Sequence, residues 1–400
     1  MSFRLFCLST LLLAGVASVF GREWPVSSAQ DISEVLPKLK PGDEVVMKQG
    51  RWHDQQIRFT AKGTLEQPIV LKAQKPGKTR LTGYSLLKIY GSHLVIDGLL
   101  FTDGHIDSSR SVIRLGEDTL HCRLTNTAII DYAPPNKKAK SAWVHILGLH
   151  NRVDHCFFSG KSNLGVVLSI NFSVDQPNYH RIEHNYFGPR PYLGINGCET
   201  IRIGDSTQSS QISRTTVAHN LFEGCNGEGN GRSGFFFCVR ANHITVRDCE
   251  FRDNALGVSI GTRDCYNLIE DCRMEGNRGV GVLVRQTPAP TEVHSCRVQR
   301  CAIVGNAEDE GRGQVEVTSD AHDLVFVENE IGGGEDNPGV FVEETARDIY
   351  LADNEFTACS AEVAAGAVSL AGAAPEIECG YGEWTESIYR HLSADWAMID

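Results

Sequence analysis

The chain has 400 residues, is 41% hydrophobic and carries a net charge of −12, because 50 Asp and Glu outnumber 38 Lys and Arg. This charge argues against a general affinity for nucleic acid, although it leaves room for a local basic groove. The length is sufficient for one large core, and a chain built of repeats can exceed the usual domain size because it grows by addition.

Residues 1–21 have the composition of a secretory signal peptide. A single positive charge, Arg4, precedes an apolar run from Leu5 to Phe20, and small residues stand at the end of the segment. The run is too short and wrongly flanked for a membrane anchor. We therefore expect a secreted or periplasmic protein that does not insert into a membrane, and outside the cytoplasm its cysteines could form disulfides.

Residues 22–60 are predicted to be an N-terminal cap. They combine an amphipathic helix from Ala29 to Leu39 with a strand from Glu44 to Met47. A repeat protein exposes core at its ends, so a segment of this kind is suited to cover the first repeat.

One short sequence motif recurs through residues 61–356. It reads Val or Ile, two residues, Asn, one residue, Phe, as in Ile182 to Phe187 and Val217 to Phe222. Its Asn position is taken by Asn or Cys along the chain, at spacings of 23 to 35 residues, namely at Asn126, Cys156, Asn185, Asn220, Cys249, Cys272, Cys296, Asn329 and Asn354. Periods in this range indicate a solenoid.

Each repeat is a short β-branched or aromatic strand followed by a polar or Gly-rich turn, as in LVIDGLLF and HITVRDCEF. One small side chain per repeat would form an internal ladder, in which Asn hydrogen-bonds its neighbours and Cys fills the same volume. We predict an all-β fold, a right-handed parallel β-helix of roughly ten coils. A β-sandwich is the alternative, but its strands recur at shorter spacing. Residues 357–400 would be a C-terminal cap or a tail.

The chain lengthens at two places, which predicts the position of a functional site. The gap between Asn185 and Asn220 is the widest, and a Gly-rich loop follows it at Gly227 to Gly234. Loops of a β-helix can lengthen on a lateral face without disturbing the core.

Three stretches in this region resemble polysaccharide lyase family six, which contains alginate lyases and chondroitinase B. They read NRVDHCFFSGKSNLGVVL, NYHRIEHNYFGPRPYLGINGCETIRIGDS and TTVAHNLFEGCNGE, and the resemblance is dense from about Trp143 to Glu228. It implies cleavage of a uronic-acid polysaccharide by β-elimination, with Ca²⁺ against the substrate carboxylate, a Lys base and an Arg acid.

The resemblance assigns metal and substrate residues. Asn196 and Glu228 match the family's Asn and first carboxylate ligand, and Arg202 matches an arginine that contacts the sugar acid, which suits the bidentate geometry of guanidinium and carboxylate. Asn230 stands where the family has its second carboxylate, so the Ca²⁺ site would lose one charge.

The acid–base residues match less well. The chain has no lysine after Lys161, and Arg240 falls in the position of the family's Lys. Arginine stays protonated and is a poor general base, whereas His243 nearby could titrate. Arg263 falls at or one place beyond the position of the family's acid.

Each of these residues also has a simpler interpretation. Asn196 and Arg202 could cap a turn and pair with Glu199, Glu228 could be a solvated loop residue, and Arg240, Arg263 and His243 could be surface residues. His180 and His184 flank the Asn185 position and would line the substrate groove or serve the structure.

The predicted function is therefore a secreted lyase for alginate or chondroitin/dermatan sulfate. The missing lysine and second carboxylate favour an alternative, a catalytically impaired β-helix that binds acidic polysaccharide. A glycoside hydrolase would need a pair of carboxylates at the groove, and Asp264 with Glu228 is a weak pair.

Overall fold

A computed structural model describes residues 21–369, except for residues 108–109, 174–175, 195–196, 205–210, 227–235, 240, 261–264, 286–292, 308–311, 319, 335, 362 and 365–367. The predicted signal peptide and most of the predicted C-terminal segment lie outside the described residues.

The described chain forms three long parallel sheets, A, B and C, whose strands we number in chain order. Sheet A has 14 strands: β1 (Glu23–Val26), β2 (Glu44–Met47), β5 (Ile69–Ala73), β8 (Leu94–Asp97), β11 (Arg123–Thr125), β14 (Arg152–Asp154), β17 (Arg181–Glu183), β21 (Thr216–Ala218), β25 (Thr245–Arg247), β28 (Leu268–Glu270), β31 (Arg297–Gln299), β34 (His322–Val327), β37 (Arg347–Ala352) and β40 (Val368–Ser369).

Sheet B has 12 strands: β3 (Gly50–His53), β6 (Thr79–Gly83), β9 (Leu100–Gly104), β12 (Ala128–Ile130), β15 (Phe157–Ser159), β18 (Tyr186–Phe187), β22 (Leu221–Glu223), β26 (Glu250–Arg252), β29 (Arg273–Glu275), β32 (Ala302–Val304), β35 (Glu330–Gly334) and β38 (Glu355–Cys359). Sheet C also has 12: β4 (Gln56–Lys62), β7 (Leu86–Ser92), β10 (Ser111–Leu115), β13 (Ala142–Ile146), β16 (Leu168–Ile170), β19 (Ile201–Gly204), β23 (Phe236–Val239), β27 (Val258–Ile260), β30 (Val282–Val284), β33 (Val315–Val317), β36 (Val340–Val342) and β39 (Val363–Ala364). A short pair, β20 (Gln211–Ile212) and β24 (Ala241–Asn242), stands apart.

The chain passes from sheet A to B to C and back to A, so each circuit is one coil of a parallel β-helix, as predicted. Alternate residues of each strand face inward because successive side chains of a strand point to opposite faces. Phe158, Phe187, Phe222 and Phe251 stack inside sheet B with ring centroids 5.2, 4.7 and 5.0 Å apart. In the recurring motif, the Val or Ile is therefore an inner residue of sheet A, the Asn stands at the corner, and the Phe is an inner residue of sheet B.

The corner between sheets A and B contains the predicted ladder. The backbone N–H of Asn185 donates to Oδ1 of Asn220 (2.9 Å), and the Nδ2 of Asn185 donates to the same oxygen (3.0 Å). Two predicted members were wrong. Asn126 is one residue early, in the left-handed region with φ 45°, and Cys301 rather than Cys296 occupies the ladder, where its N–H donates to Asn329 Oδ1 (2.9 Å).

The other two corners have ladders of their own. Cys296 belongs to the corner between sheets C and A, which also contains Asn151 and His180. The corner between sheets B and C contains Lys161 and Arg190, both fully buried. At each corner a residue with positive φ precedes the ladder residue, and the sequence provides mainly His, Asp, Asn or Gly there, the residue types that tolerate this conformation best.

The N-terminal segment contains the predicted helix, α1 (Ala29–Val35), extended by a 3₁₀ turn at Leu36–Lys38. Ser28 caps α1, since its Oγ accepts from the Asp31 N–H (3.1 Å), and the helix buries Ile32 against the core. The strand β2 agrees with the prediction. The coils begin earlier than residue 61, because β2, β3 and β4 already form a circuit.

All ten cysteines for which the structure gives a state are free, and nine of these are buried. Among the residues that the structure describes, no helix is long and apolar enough to cross a membrane.

Candidate functional site on sheet C

Sheet C is the face of the β-helix beside which the chain lengthens. In the coil that begins with β17, only His184 and Asn185 connect sheet A to sheet B. In the same coil, residues 188–200 lead from sheet B into sheet C, and residues 205–215 lead back to sheet A. Long connections therefore border sheet C on both of its edges.

The outer face of sheet C presents one row of polar, mostly basic side chains. The register aligns, on neighbouring strands, Arg58, Lys88, Arg114, His145, Ser169 and Arg202, which we call the outer row. Their neighbours in sequence, such as Ile113 and Val144, are fully buried, so the row faces outward. Strands of a sheet lie about 4.8 Å apart, so the row extends roughly 24 Å along the axis.

Sheet A also has charges on its outer face, but these neutralise one another. Asp154 contacts Arg123 (2.7 Å) and Arg152 (2.5 Å), and Glu183 contacts Arg152 (2.7 Å) and Arg181 (2.7 Å). Asp154 is completely buried. Burial would raise the pKa of Asp154, but the hydrogen bonds from His155 and Arg123 and the charges of Arg123 and Arg152 hold it well below its usual range. Within this network each carboxylate contacts two arginines, so the charges of these residues are largely compensated.

Arg202 lies at the end of the outer row, on β19. Its Nε atom has no hydrogen-bond partner in the described part of the chain. Glu199 stands three residues earlier and is 3% exposed. Burial raises the pKa of Glu199, and the nearby Arg202 and Arg190 oppose that rise. Arg202 thus lies on the outer face of sheet C, close enough to the buried Glu199 for their charges to interact.

A hydrogen-bonded network occupies the middle of the outer row. Arg114 Nη1 lies 3.1 Å from His145 Nδ1, and His145 Nε2 lies 3.0 Å from Asn171 Oδ1. Ser169 Oγ donates to the same Asn171 oxygen (2.9 Å). Burial lowers the pKa of His145 to about 4, assisted by the positive charges of Arg114 and Arg202. His145 is therefore neutral at pH 7.

Arg190 fixes the connection that leads to Arg202. Its guanidinium donates to the carbonyl oxygens of Glu199 (3.1 Å), Asn163 (2.7 Å) and Gly165 (2.8 Å). These carbonyls belong to the connections of two successive coils. Lys161 belongs to the earlier of these two connections, and its Nζ donates to Asn163 Oδ1 (2.7 Å). The buried side chains of Arg190 and Lys161 thus hold together the connections that lead into sheet C in these two coils.

The three predicted histidines lie at two corners of the coil. His180 is wrong as a substrate-binding residue: it is fully buried at the corner between sheets C and A, where its Nδ1 accepts from the Asn151 N–H (3.1 Å). His184 is exposed but lies at the corner between sheets A and B, between His155 and His219. That corner does not border sheet C, so His184 does not line the surface that carries Arg202. His243 lies at the edge of sheet C and stacks on Tyr266 (4.9 Å).

The remaining predicted residues, Asn196, Glu228, Asn230, Arg240 and Arg263, lie outside the described residues. Two described segments near them are adjacent: Asn226 donates its N–H to the Arg190 carbonyl (3.0 Å), so the connections that follow β18 and β22 begin side by side. Within the described part of the chain, no group of three or more His, Cys, Asp or Glu could hold a metal ion.

Sequence reasoning missed Arg114, His145 and Asn171. The available signal was the alternation in the strands SVIRL and AWVHI, which places Arg114 and His145 opposite the apolar residues of the core. Their alignment with Arg202 depends on the register between coils.

The outer face of sheet C therefore carries four Arg or Lys side chains in one row, a charge pattern that suits an elongated acidic ligand. The family model of chondroitinase B matches residues 26–231, slightly more than half of the chain. The chain therefore belongs to this family, polysaccharide lyase family six, as the sequence motifs predict.

Solved structures of this family are similar to the chain. The alginate lyase AlyGC has 26% identity and a TM-score of 0.66, over 86% of this chain and 53% of AlyGC. The chain thus spans about half the length of that relative. A mannuronic-acid-specific family 6 lyase from human gut microbiota has 28% identity and a TM-score of 0.65, over 84% of this chain and 82% of its own. No curated protein matches the chain.

Proposed function

We propose that the protein is a polysaccharide lyase that cleaves a uronic-acid polysaccharide, alginate or chondroitin/dermatan sulfate, by β-elimination. The observation that carries the proposal is the outer row of sheet C, which places Arg202 in line with Arg114, Lys88 and Arg58 on the fold of this family. The molecule as a whole is acidic, so this row is a local attraction for a polyanion.

Arg202 would bind the carboxylate of the uronate at the cleavage point. A guanidinium offers two parallel N–H donors to a carboxylate, which fixes the sugar as well as its charge. In the elimination, a base removes the proton from the carbon next to the carboxylate, a double bond forms, and the glycosidic C–O bond breaks. The leaving oxygen takes a proton from an acid.

Ca²⁺ is the proposed cofactor, with Asn196, Glu228 and Asn230 as its ligands. Amide and carboxylate oxygens are the donors that Ca²⁺ prefers, although a set with one carboxylate binds less tightly than a set with two. When bound, the ion would neutralise charge that develops on the substrate carboxylate.

The acid and base are proposed among Arg240, His243 and Arg263. Two other residues do not fit the role of base. Lys161, the last lysine of the chain, is 1% exposed and bound to Asn163. His145 is neutral, but one ring nitrogen faces an Arg114 donor and the other faces Asn171.

The second candidate function is a binding protein that retains the groove without the chemistry. The burial of Lys161 favours it, because the chain has no lysine after Lys161 and Lys161 itself is not accessible as a base. In both cases we expect secretion or export to the periplasm, which detection of the processed chain outside the cytoplasm would test.

The two functions are separated by incubating the protein with alginate and with dermatan sulfate, with Ca²⁺ or with a chelator. The lyase produces unsaturated uronate ends, which absorb in the ultraviolet, and a Ca²⁺-dependent lyase produces them only in the presence of the ion. Binding without any product would leave the second candidate.

Arg202→Ala should lower kcat/KM on the cleaved polymer by at least tenfold, because a hydrogen-bonded charge pair contributes about 1.5–3 kcal/mol. The matched control is Arg80→Ala on the outer face of sheet B, where the side chain is exposed. Equal activity of the two variants would remove Arg202 from the site.

A further inference from the structure

We propose that Arg114 is a second carboxylate-binding residue for the same polymer, and that His145 is the positioning residue that holds its guanidinium. The inference rests on the proposed function, since it assumes that a polyuronate lies along sheet C. It adds a binding position three strands away from Arg202, toward the N-terminal coils.

Arg114 is held on two sides but keeps donors for a ligand. Nη1 faces His145 Nδ1 at 3.1 Å, and Nη2 contacts Glu117 Oε1 at 2.5 Å. A guanidinium has five N–H donors, so these contacts leave others available. The side chain is 28% exposed, which is enough for contact with a bound polymer.

The hydrogen bonds define the state of His145. Arginine can only donate, so His145 Nδ1 must accept and Nε2 must carry the proton. Nε2–H then donates to Asn171 Oδ1 at 3.0 Å, and this oxygen also accepts from Ser169. The ring is thereby fixed at both ends, and it presents a lone pair to Arg114 rather than a charge.

Two neutral residues thus separate two cations on one straight row. His145 and Ser169 stand on the strands between Arg114 and Arg202. Three strand spacings amount to roughly 14 Å. A polymer that carries a carboxylate on its sugar units can contact both guanidinium groups, whereas a short oligomer bound at Arg202 cannot reach Arg114. The ligand is therefore a polyuronate of several units along the axis.

The test measures the dissociation constant of a length series of oligouronates, from the polymer that the wild type binds. For Arg114→Gln we expect affinity for the longest oligomers to fall on the order of tenfold, while affinity for the shortest stays unchanged. Arg80→Gln on sheet B should match the wild type at every length. A thermal melt of each variant excludes unfolding.

Variants of His145 test its positioning role. His145→Leu removes the acceptor for Arg114 and should show the same length-dependent loss as Arg114→Gln. His145→Asn keeps an acceptor close to the position of Nδ1 and should restore most of the affinity. The double variant Arg114→Gln/His145→Leu should bind no more weakly than Arg114→Gln alone, because each change removes the same interaction, that of Arg114 with the ligand.

An Arg114→Gln variant that binds long oligomers as tightly as the wild type would overturn the inference, as would an equal loss at all lengths. The proposed function fails separately, in the wild type. Binding without cleavage removes the lyase activity but leaves the length series intact, while a wild type that binds no uronan contradicts both.

Discussion

At the scale of single residues, Arg190 is the side chain on which the edge of the candidate site depends most. It is buried and donates to three carbonyl oxygens of two connections. Burial lowers its pKa, but the carbonyls solvate the charge and the group stays protonated. Arg190→Met would remove the costly charge and leave the Gly165 carbonyl without a donor. The carbonyls of Glu199 and Asn163 would keep only longer contacts, from the Val167 N–H (3.3 Å) and from Lys161 Nζ (3.4 Å).

We therefore expect Arg190→Met to lower the free energy of unfolding by about 3 kcal/mol, because three hydrogen bonds from a charged donor are lost, each contributing about 1.5–3 kcal/mol, and the removal of a buried charge offsets part of the loss. Chemical denaturation checks this. Arg80→Met, at an exposed position on sheet B, is the control and should stay within about 0.5 kcal/mol of the wild type. A similar result for both would mean that the three hydrogen bonds contribute little.

The sequence predicts some residues of the site better than others. Arg202 is found because it lies in a long motif of the family. Arg114 and His145 are not, because 31 residues separate them in sequence and only the pairing of β10 with β13 brings them together. The sequence predicts His180 to line the groove or to serve the structure, because it lies near the Asn185 position. In the structure it replaces Asn at a ladder position, where a buried imidazole fills the same role.

At the scale of elements, the Asn ladder connects successive coils through side chains. Asn220 Nδ2 donates to the Ile182 carbonyl (2.8 Å), and its Oδ1 accepts both from the N–H and from the amide of Asn185. One side chain therefore satisfies three buried polar groups of the preceding coil. The sheets alone could not do so, because the corner interrupts their hydrogen bonds.

Asn220→Ala should destabilise the protein by about 3 kcal/mol, since it removes three hydrogen bonds from the core. The Asn185 amide keeps its bond to the Val153 carbonyl (3.0 Å), whereas the Asn185 N–H and the Ile182 carbonyl lose this partner. Cys249→Ala, on the next coil, is the matched comparison. Within the described part of the chain its Sγ atom makes only weak contacts, 3.2 Å to the Arg247 carbonyl, 3.6 Å to the Val217 carbonyl and 3.9 Å to Asn220 Nδ2, so the loss should be about 1 kcal/mol. Denaturation midpoints compare the two, and a larger loss for Cys249→Ala would contradict the ladder argument.

The two errors in the predicted ladder have the same cause. Asn and Cys occur at more than one corner of the coil, so composition alone does not identify the corner. Asn126 occupies the left-handed position before the ladder, which Asn tolerates well. Cys296 occupies a ladder, but that of the corner between sheets C and A. The preceding His, Asp or Gly marks a corner, and counting these residues would have separated the three ladders.

At the scale of the whole molecule, the fold is predictable because every coil repeats the same pattern. An error in one repeat does not change the class of fold. The length of the connections and the pairing register between coils are not repeated, and these decide which outer side chains align on sheet C. This is why the architecture follows from the sequence while the outer row requires the structure.

The same repetition stacks histidines at the corners, which gives the molecule a common response to acid. His93, His121 and His150 stack with centroids 5.1 and 4.8 Å apart. Burial lowers the pKa of each, that of His121 to about 4, and neighbouring histidines add to the effect at His121. His180 is fully buried, and its pKa falls to about 3.

A histidine whose pKa is lower in the folded state binds fewer protons there than in the unfolded chain, where its pKa is about 6.5. Its contribution to stability is complete above pH 6.5 and is lost as the pH falls toward the folded pKa, so we expect the free energy of unfolding to decline between about pH 6.5 and 4. This window lies above the range in which Asp154, whose pKa is lowered, would be protonated. Burial raises the pKa of Asp97 and Glu199, which opposes the decline.

His180→Asn isolates one histidine from these opposing groups. Asn occupies the same ladder at Asn151 and Asn267, and its Oδ1 can accept from the Asn151 N–H as His180 Nδ1 does. The variant should be less stable than the wild type near pH 7, where the imidazole packs better, and should lose less stability on acidification. One pKa unit corresponds to about 1.4 kcal/mol. The unfolding free energy of the wild type should therefore fall by several kcal/mol more than that of the variant between pH 7 and 4. Parallel curves would show that His180 does not have the lowered pKa that its burial implies.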